Sequence, residues 1–380
     1  MKPDPMNKKI IEFLEEHNPD SPCLVVDIDL VIEQYENLSR FLPLVEIFYA
    51  IKANPAKEIL LSLLSLGSRF DAASIFEIRQ CLAVGAQPCQ LSFGNTIKKE
   101  SAIAEAFQAG VSLFAVDCDA EVEKISRVAP GAAVFCRFLT SGAGADWPLS
   151  NKFGIAPDEV IDVLVKAKRI GLKPQGISFH VGSQQRKPKQ WADAIAKAAQ
   201  LFLKANKSGI KLELLNIGGG FPSRYKEGIP NLNEICEEIT KALCLHFGSS
   251  VPRVIAEPGR YIAGDAGVIE AEVVLVSQKR HGGRRWIYVD IGKFGGLIET
   301  IGEAIRYKIE TTRDGGATGP VVLAGPTCDE MDVLYDQSNY QLPLDLREGD
   351  KIRFLSAGAY TASYSSTGFN GFPPLREYYI

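Results

Sequence analysis

The sequence is poor in the arrangements that most often hold metal ions. Only four histidines occur among 380 residues, they are well separated, and none of the eight cysteines forms a C-x-x-C pair. A zinc site of the usual cysteine and histidine spacing is therefore not expected. The cysteines stand mostly in apolar contexts, which predicts that Cys23, Cys81, Cys136 and Cys244 are small core residues with reduced thiols.

Long apolar runs and an excess of one charge are also lacking. No segment approaches the roughly 18 apolar residues of a membrane-spanning helix. The amino-terminal segment is amphipathic and acid-bearing, without an apolar stretch of signal-peptide length. The formal net charge is −4, with both signs dispersed, so we expect neither nucleic acid nor a membrane surface as a partner. We expect a cytoplasmic protein.

Short apolar runs alternate with segments of helical periodicity between residues 46 and 260. Segments such as PDEVIDVLVKAKRIG repeat apolar residues at helical spacing, and glycine follows the last apolar position in LLSLGS and AVGAQP. Since parallel strands need helical crossovers, eight strand–helix units in this order predict a (β/α)₈ barrel. The predicted strands cover residues 48–51, 68–70, 90–93, 113–116, 134–138, 176–179, 214–217 and 254–256.

This rhythm changes after about residue 262. Four segments, AGVIEAEVVLVSQKR, RRWIYVDIG, GPVVLAGP and GDKIRFLSAG, alternate apolar and polar residues with little helix between them. They predict a mainly antiparallel β-domain, which the first strand of the chain, in SPCLVVDIDL, is expected to join. The predicted domains are therefore discontinuous: a barrel over residues 25–262, and a β-domain formed by residues 1–24 and 263–380.

Residue types common in active sites recur at the ends of the predicted barrel strands. Residues just beyond the carboxyl ends of barrel strands line one face, where such folds place their active sites. Each residue alone has a structural alternative, but their number at one rim favours a functional site. The set comprises Lys52, Asp71, Glu77, Asn95, Arg137, His180, Gly218, Gly219, Gly220, Glu257 and Arg260.

Lys52 ends the apolar run FYAIK, and two interpretations follow. In the first, the side chain extends from the strand end to solvent. In the second, burial lowers the pKa of the ammonium from about 10.4 toward neutrality, and the neutral amine can attack a carbonyl group. The remaining motifs decide between the two.

The segment IGGGFP supplies backbone amides at a strand–helix turn, where they can bind a phosphate. A glycine run can equally serve a tight turn, and this one lacks the complete G-x-G-x-x-G of a dinucleotide site. Arg260 can add a charge-assisted bond to the same phosphate. An amine together with a phosphate site indicates a phosphorylated aldehyde held as a Schiff base, namely pyridoxal phosphate. Glu257 is then the candidate partner of its ring nitrogen.

Eight motifs, in order over nearly the whole chain, carry a family resemblance: FYAIKANP, FDAASIFEI, SFHVGSQ, NIGGGFP, AEPGRY, GPTCDEMDVLY, GAYT and FNGF. With them the chain resembles the fold-type III pyridoxal-phosphate decarboxylases, a group that includes ornithine, lysine, arginine and diaminopimelate decarboxylases. The resemblance implies an alanine racemase-like barrel with a β-domain. It also implies a head-to-tail homodimer with two shared active sites.

Position by position, the resemblance implies roles for individual residues. Lys52 would form the covalent link to the cofactor, and Glu257 would pair with the pyridinium. His180 would stack on the ring, with Asp71 and Glu77 in the surroundings of the lysine and the cofactor. The phosphate would be held by Gly218, Gly219, Gly220, Arg260, Ser183 and Tyr360.

The resemblance also implies contributions from the β-domain. Cys328 and Asp329 would enter the partner's active site. There the thiol can reprotonate the substrate α-carbon after CO₂ leaves, and the carboxylate can meet a distal ammonium. Lys152 and Asp332 would form an ion pair across the dimer interface. The substrate pocket would be bordered by Phe369.

The residues after Cys328 favour a simple diamino acid as substrate. Relatives that act on meso-diaminopimelate typically carry C-E-S where this chain has Cys-Asp-Glu. A single Asp329 suits a cationic tail, which favours L-ornithine or L-lysine, and the length of Glu303 in the specificity segment favours ornithine. We therefore predict conversion of L-ornithine to putrescine and CO₂ in polyamine biosynthesis. Decarboxylation of L-lysine, meso-diaminopimelate, carboxynorspermidine or a related intermediate is the alternative.

Two further hypotheses belong to other classes of protein. An amino-acid racemase on the same barrel usually places arginine beside the pyridine nitrogen, so Glu257 argues against it. An inactive homologue that binds a regulatory partner, as antizyme inhibitors do, would lose cofactor contacts, whereas Lys52 and Cys328 are present. The chain departs from the family pattern at Gly302, where bacterial relatives often carry an acid, and at Asn216, where many relatives have aspartate.

Overall fold

The computed structural model describes residues 8–148, 152–278 and 283–380. Over these residues the predicted fold class is confirmed, since a closed barrel of parallel strands precedes a sheet-rich region. In chain order the strands are β1 (Cys23–Val26), β2 (Val45–Ala50), β3 (Arg69–Ala72), β4 (Leu91–Phe93), β5 (Leu113–Val116), β6 (Ala133–Arg137), β7 (Ala145–Trp147), β8 (Lys173–Ser178), β9 (Ser183–Gln185), β10 (Leu214–Asn216), β11 (Arg253–Ala256), β12 (Gly267–Gln278), β13 (Arg285–Val289), β14 (Ile309–Thr311), β15 (Thr318–Pro320), β16 (Val322–Ala324), β17 (Val333–Tyr335), β18 (Gln341–Pro343), β19 (Lys351–Phe354) and β20 (Arg376–Tyr379).

The helices follow the apolar periodicity of the sequence. In α7, for example, the buried side chains recur at i, i+3, i+4 and i+7, so one stripe packs inward: Val160, Val163, Leu164 and Ala167. In chain order the helices are α1 (Lys8–His17), α2 (Ile28–Phe41), α3 (Lys57–Ser65), α4 (Ile75–Ala83), α5 (Glu100–Gln108), α6 (Asp119–Val128), α7 (Val160–Arg169), α8 (Lys189–Lys207), α9 (Leu232–Phe247) and α10 (Arg260–Ala263).

Eight parallel strands close the barrel in the spatial order β10-β11-β2-β3-β4-β5-β6-β8. Each of the eight predicted apolar runs overlaps one of these strands, so the predicted barrel is confirmed. Side chains from five of the strands meet in one buried apolar cluster, formed by Phe48, Leu113, Ala115, Phe135, Leu214 and Ile255. A packed interior of this kind fixes the strand ends that carry the polar residues.

Strand β12 is central to the second sheet. It pairs antiparallel with β1, β13 and β19, whereas β13–β16 and β1–β20 are parallel pairs. The predicted, mainly antiparallel sheet is therefore confirmed, as is the expectation that the first strand joins it. Helix α1 packs on this sheet through an apolar cluster that contains Ile10, Leu14, Cys23, Val25, Val268 and Leu355.

The chain divides into two compact units, which we call the barrel unit and the β-unit. The barrel unit contains Gln34–Pro222 and Ile229–Gly259, and the β-unit contains the described residues up to Glu33 with Ser223–Gly228 and Arg260–Ile380. The sequence-based boundary at residue 25 falls inside β1, although all four residues of that strand pair with β12. No helix in the part of the chain that the structure describes is long and apolar enough to cross a membrane.

Cysteine burial differs from the prediction at one position. Cys23, Cys81 and Cys136 are buried as expected, but Cys244 is exposed. The reason is the helical phase of α9, which turns Cys236 and Leu243 toward the core and leaves Cys244 on the outer face. All eight cysteines are free thiols, and burial raises the pKa of both Cys23 and Cys81 to about 12. These buried thiols are therefore protonated at neutral pH.

Candidate active site

Lys52 lies in a short 3₁₀ turn directly after β2, between buried Ile51 and Ala53. Hydrogen bonds fix the segment that follows: the Tyr49 hydroxyl donates to the carbonyl of Asn54 at 3.0 Å, and the Asn54 side chain accepts from the Ala56 amide at 3.1 Å. The lysine side chain itself is exposed, which agrees with the first of the two interpretations of this run. The turn projects Lys52 out of the core while its two neighbours remain inside.

Two carboxyl groups, buried Asp71 and partly buried Glu257, interact electrostatically with Lys52. Asp71 in β3 is 4% exposed and accepts a hydrogen bond from the Ser92 hydroxyl at 2.8 Å. Glu257 follows β11, where burial and the neighbouring Asp71 raise its pKa to about 7, against the opposing effects of Lys52, Asn216 and Arg137. Burial also raises the pKa of Asp71. The two carboxyl groups therefore keep their protons to a higher pH than two exposed carboxyl groups would.

Glu77 stabilises the start of α4. Its carboxylate accepts a hydrogen bond from the Ala73 amide at 2.5 Å, and its own amide donates to the Ser74 hydroxyl at 3.3 Å. These bonds satisfy amide groups that a helix start leaves without intrahelical partners. Burial raises the pKa of Glu77, while the bond from Ala73 opposes that shift. The structure thus gives Glu77 a capping role, and its predicted place around the cofactor stays a prediction.

His180 follows β8 and is held in a neutral form. Its Nδ1 accepts a hydrogen bond from the Gly182 amide at 3.0 Å, which places the ring proton on Nε2. Burial, with the positive charges of Arg137 and Lys52, holds the pKa of His180 well below its usual range. The Thr140 hydroxyl donates to the His180 carbonyl at 2.7 Å and fixes the backbone at this strand end.

The glycine turn after β10 runs against two neighbouring strand ends. A Cβ at Gly218 would lie 2.3 Å from the Phe179 carbonyl oxygen, and one at Gly219 would lie 2.6 Å from that of Glu257. At Gly220, where φ is +104°, a Cβ would lie 2.5 Å from the Gly182 carbonyl oxygen. Only glycine therefore lets this bare backbone pass beside His180 and Glu257.

Two neighbours of this cluster stood outside the predicted cofactor-binding set. Asn216, at the end of β10, donates from its side-chain amide to a Glu257 carboxylate oxygen, and its own side-chain oxygen accepts from the Gly218 amide at 2.8 Å. Burial lowers the pKa of Arg137, at the end of β6, against the opposing effects of Glu257, Asp117 and Asp71. A charged residue inside AVFCRFL and a polar one before GGG were the signals in the sequence.

Ser183, a predicted phosphate ligand, is the first residue of β9, which pairs with β7.

In the β-unit, Arg260 has partners that the sequence did not predict. Its guanidinium donates to both carboxylate oxygens of Glu299, at 2.6 and 2.7 Å, and to the Tyr225 hydroxyl at 2.7 Å. The Tyr360 ring lies against it, 4.6 Å from the guanidinium carbon to the ring centroid. Burial lowers the pKa of Arg260, but Glu299 and Tyr225 outweigh burial and raise it overall. The predicted phosphate ligands Arg260 and Tyr360 thus lie together, beside an acidic partner.

The GPTCD and FNGF segments also lie together in the β-unit. The amide of exposed Cys328 donates to the Asn370 side chain at 2.8 Å, and the neighbouring Phe369 ring packs on Phe294 with centroids 4.6 Å apart. The Asp329 carboxylate accepts from the Met331 amide at 2.8 Å. A pocket of about 470 Å³ adjoins these segments and is lined in part by Phe294, Pro326, Thr327, Phe369, Phe372 and Leu375.

Asp332 is buried within its own chain. At 2% exposure, its carboxylate accepts hydrogen bonds from the Lys293 amide at 2.7 Å and from the amide and hydroxyl of Thr327 at 3.1 and 2.7 Å. Lys152, its predicted partner across a dimer interface, is exposed. The structure thus gives Asp332 a role inside one chain, in which it ties the GPTCD segment to the turn that begins at Lys293, after β13.

Glu303 likewise has backbone partners. One carboxylate oxygen accepts from the amides of Asp336 and Gln337, both at 2.6 Å. Burial favours the neutral acid, but the bonds from Gln337, Asp336 and Ser338 outweigh it and lower the pKa of Glu303. The carboxylate that the sequence assigned to substrate selection therefore stabilises residues 336–338. Its neighbour Gly302 contributes no side chain to a pocket.

The grouped residues of the barrel unit fit a phosphorylated aldehyde cofactor. They combine an amine at Lys52, a partly buried acid at Glu257, a neutral ring at His180 and a glycine turn with no room for a Cβ atom. An amine can hold the aldehyde, a turn of glycine amides can face the phosphate, and an acid can pair with a ring nitrogen. In the described part of the chain, no three His, Cys, Asp or Glu side chains are grouped to hold a metal.

The family model of the pyridoxal-dependent decarboxylases, in its pyridoxal-binding domain, matches residues 28–264. The chain belongs to this family. The match confirms the predicted family resemblance and the predicted cofactor, pyridoxal phosphate. It covers the whole barrel and every barrel residue described above.

Sequence similarity to known proteins extends over nearly the whole chain. The lysine/ornithine decarboxylase of Selenomonas ruminantium is 34% identical over 373 residues, covering 98% of this chain and 92% of that protein. Antizyme inhibitor 2 of Xenopus laevis is 32% identical over 386 residues, covering 98% of this chain and 84% of that protein. A solved structure of an SrLDC mutant in complex with PLP matches with a TM-score of 0.90 and 34% identity, covering 100% of this chain and 97% of that chain. A decarboxylase of basic amino acids is thereby supported.

Proposed function

We propose that this protein decarboxylates L-ornithine to putrescine and CO₂ with pyridoxal phosphate, a step of polyamine biosynthesis. The observation that carries the proposal is the grouping of four side chains at the carboxyl ends of the barrel strands: Lys52, buried Asp71, partly buried Glu257 and neutral His180. An amine for covalent binding and an acid that can pair with the ring nitrogen are what a pyridoxal enzyme needs.

Each barrel residue has a defined task in this proposal. Lys52 supplies the amine that holds the cofactor's aldehyde group and regains that position when the product leaves. Glu257 holds a proton at the ring nitrogen. His180 offers a neutral ring and therefore places no further positive charge beside that nitrogen. The chemistry that pyridoxal phosphate would supply when bound is a sink for the electron pair that stays on the α-carbon when CO₂ leaves.

The β-unit supplies the second half of the reaction. Decarboxylation breaks the bond between the α-carbon and the carboxylate carbon, so the α-carbon must gain one proton. Cys328 provides it, because a thiol can donate its proton to a carbanion. Asp329 receives the distal ammonium of the substrate. Both act in the partner's site of a homodimer, so each active site needs two chains.

L-Lysine is the second candidate substrate, and a specific observation favours it. The Glu303 carboxylate is bound by the amides of Asp336 and Gln337, so it is not available to shorten a substrate pocket. Asp329 is then the acid that recognises the distal ammonium. One methylene in a pocket is worth only about 1–3 kcal/mol. We therefore expect L-ornithine and L-lysine to differ by less than about 200-fold in kcat/KM.

Two measurements on purified protein test the proposal. Protein saturated with pyridoxal phosphate should show a visible absorption band that borohydride reduces, and it should release CO₂ from L-ornithine or L-lysine in preference to L-arginine and meso-diaminopimelate. Lys52→Ala should abolish both the band and turnover, while Lys57→Ala, at an exposed lysine of α3, should leave both unchanged.

Two results would contradict the proposal. Full activity in Lys52→Ala would refute the covalent role of that amine. A protein that shows no absorption band with pyridoxal phosphate and releases no CO₂ from any of the four amino acids would favour an inhibitor-like homologue instead.

A further inference from the structure

Asn216 is the last residue of β10, which lies between β8 and β11 in the barrel. The residue is 1% exposed and pairs with Ile255 in β11 and with Ser178 in β8. Glu257 lies two residues beyond Ile255, so its side chain and that of Asn216 leave the same face of the barrel wall. The Glu257 amide donates to the Gly218 carbonyl at 2.9 Å, which extends the strand pairing up to the carboxyl group.

The orientation of the Asn216 amide is fixed by the backbone. The Gly218 amide can only donate, and it meets the Asn216 side-chain oxygen at 2.8 Å. The nitrogen of the same side chain must then point the other way, where it donates to a Glu257 carboxylate oxygen. Reversing the amide would place an oxygen against the carboxylate and an NH₂ group against a backbone amide. Both contacts would be repulsive, so a single orientation is stable.

The groups that face Glu257 come from four other strand ends. Asp71 from β3 favours the protonated acid, whereas Lys52 after β2 and Arg137 from β6 favour the carboxylate. Asn216 from β10 is the uncharged member of this set, and it too favours the carboxylate. Unlike a charged group, an amide donates at any pH without adding a charge to a buried site.

We propose that Asn216 is a positioning residue that holds Glu257 as a carboxylate, with its free lone pairs directed at the cofactor's ring nitrogen. The inference rests on the proposed pairing of Glu257 with that nitrogen. The Asn216 side chain also links the Glu257 carboxylate to the Gly218 amide of the glycine turn, because it is hydrogen-bonded to both. Groups that orient a buried ligand-binding residue in this way commonly tune its basicity.

Two variants separate the donor from the acceptor. Asn216→Asp keeps an oxygen for the Gly218 amide, so the turn is preserved, but it replaces the permanent donor by a titratable group. Asn216→Leu has a similar size and removes both hydrogen bonds. Glu348→Gln, at an exposed side chain, serves as the control.

The first measurement uses the full-length protein without added cofactor. Asn216→Asp places a third carboxyl group beside Glu257 and Asp71, where ionisation is unfavourable. Its stability relative to wild type should therefore fall as pH rises above about 4, the pKa of an unfolded aspartate, and recover below that pH. Urea unfolding at several pH values measures this difference. A stability difference that does not change with pH would overturn the inference, because it would mean that the side chain does not face Glu257.

The second measurement loads the proteins with pyridoxal phosphate labelled with ¹⁵N in the ring. The wild type should give the chemical shift of a protonated ring nitrogen, and Asn216→Leu should shift toward the neutral value. Asn216→Asp should keep the protonated value. The introduced carboxyl group, when protonated, can still donate to the Glu257 carboxylate, and when ionised it adds a negative charge that favours the protonated ring nitrogen. An unchanged ¹⁵N shift in Asn216→Leu would overturn the inference.

Failure of the proposed function gives a different result. If wild-type protein does not bind pyridoxal phosphate, the proposed function fails, while the pH-dependent stability of Asn216→Asp still reports on the contact with Glu257. Should Asn216→Leu not fold, the unfolding measurement on Asn216→Asp decides the question alone.

Discussion

At the scale of single residues, the raised pKa of Glu257 shows that its ionisation is unfavourable in the barrel site. Burial beside Asp71 raises its pKa to about 7, although Lys52 and Arg137 oppose the shift. An acid in this state ionises readily once a cation is placed against it. A protonated pyridine ring is such a cation. Without such a cation, ionisation of Glu257 destabilises the fold.

The unloaded protein should lose stability as pH rises through the range from 4.5 to about 7. A carboxyl group whose pKa is higher in the folded chain stabilises the fold while protonated, and that stability is lost as it ionises. For Glu257 the loss is on the order of 3 kcal/mol. Urea unfolding should show a shallower pH dependence for Glu257→Gln than for wild type, whereas Glu348→Gln should match wild type. Equal slopes for wild type and Glu257→Gln would contradict this assignment.

At the scale of elements, the turn between β10 and α9 sets how closely backbone can approach a phosphate. Gly220→Ala would force a Cβ within 2.5 Å of the Gly182 carbonyl oxygen at a φ of +104°. We expect a loss of about 1–3 kcal/mol in unfolding free energy and a clearly weaker affinity for pyridoxal phosphate. Fluorescence titration with the cofactor measures the latter. Gly228→Ala, whose Cβ meets nothing within 4 Å, is the matched control.

The segment that carries Cys328 depends on a buried carboxylate. Asp332 receives bonds from the Lys293 amide and from Thr327. Asp332→Asn has one acceptor oxygen instead of two and brings an NH₂ group against donors. We expect a loss of about 1–3 kcal/mol of stability and faster hydrogen exchange of the amides in residues 325–332. The control Asp345→Asn, at an exposed position, should change neither quantity. Unaltered hydrogen exchange in Asp332→Asn would mean that the bonds to Asp332 do not restrain this segment.

At the scale of the whole molecule, the proposal requires two chains for each active site. Lys52→Ala and Cys328→Ala each remove one half of a site, and mixed dimers would rebuild one intact site from the wild-type half of each chain. After mixing and exchange of equal amounts of the two variants, we expect about a quarter of wild-type activity, since half the dimers are mixed and one of their two sites is intact. Activity no higher than that of the separate variants would place Lys52 and Cys328 in the same chain's site.

Periodicity and strand-end chemistry were readable from the sequence. Alternation of apolar runs with helical segments predicted all eight barrel strands, because burial on both faces demands continuous apolar residues in parallel strands. The barrel topology then brings the strand ends together, so Lys52, Asp71, His180 and Glu257 could be assigned to one rim without coordinates. These are local patterns, and the fold class converts them directly into positions.

Hydrogen bonds between distant residues were decided only by the tertiary structure. Glu299 lies 39 residues from Arg260, and Glu303 lies 33 from Asp336, yet each pair is joined through a carboxylate. No local pattern marks such a pairing, because the chain path between the partners sets which donor a carboxylate meets. Local sequence thus determined which residues can do the chemistry, while packing determined which of them are already held by another group, because a buried carboxylate binds whatever donor the fold brings to it.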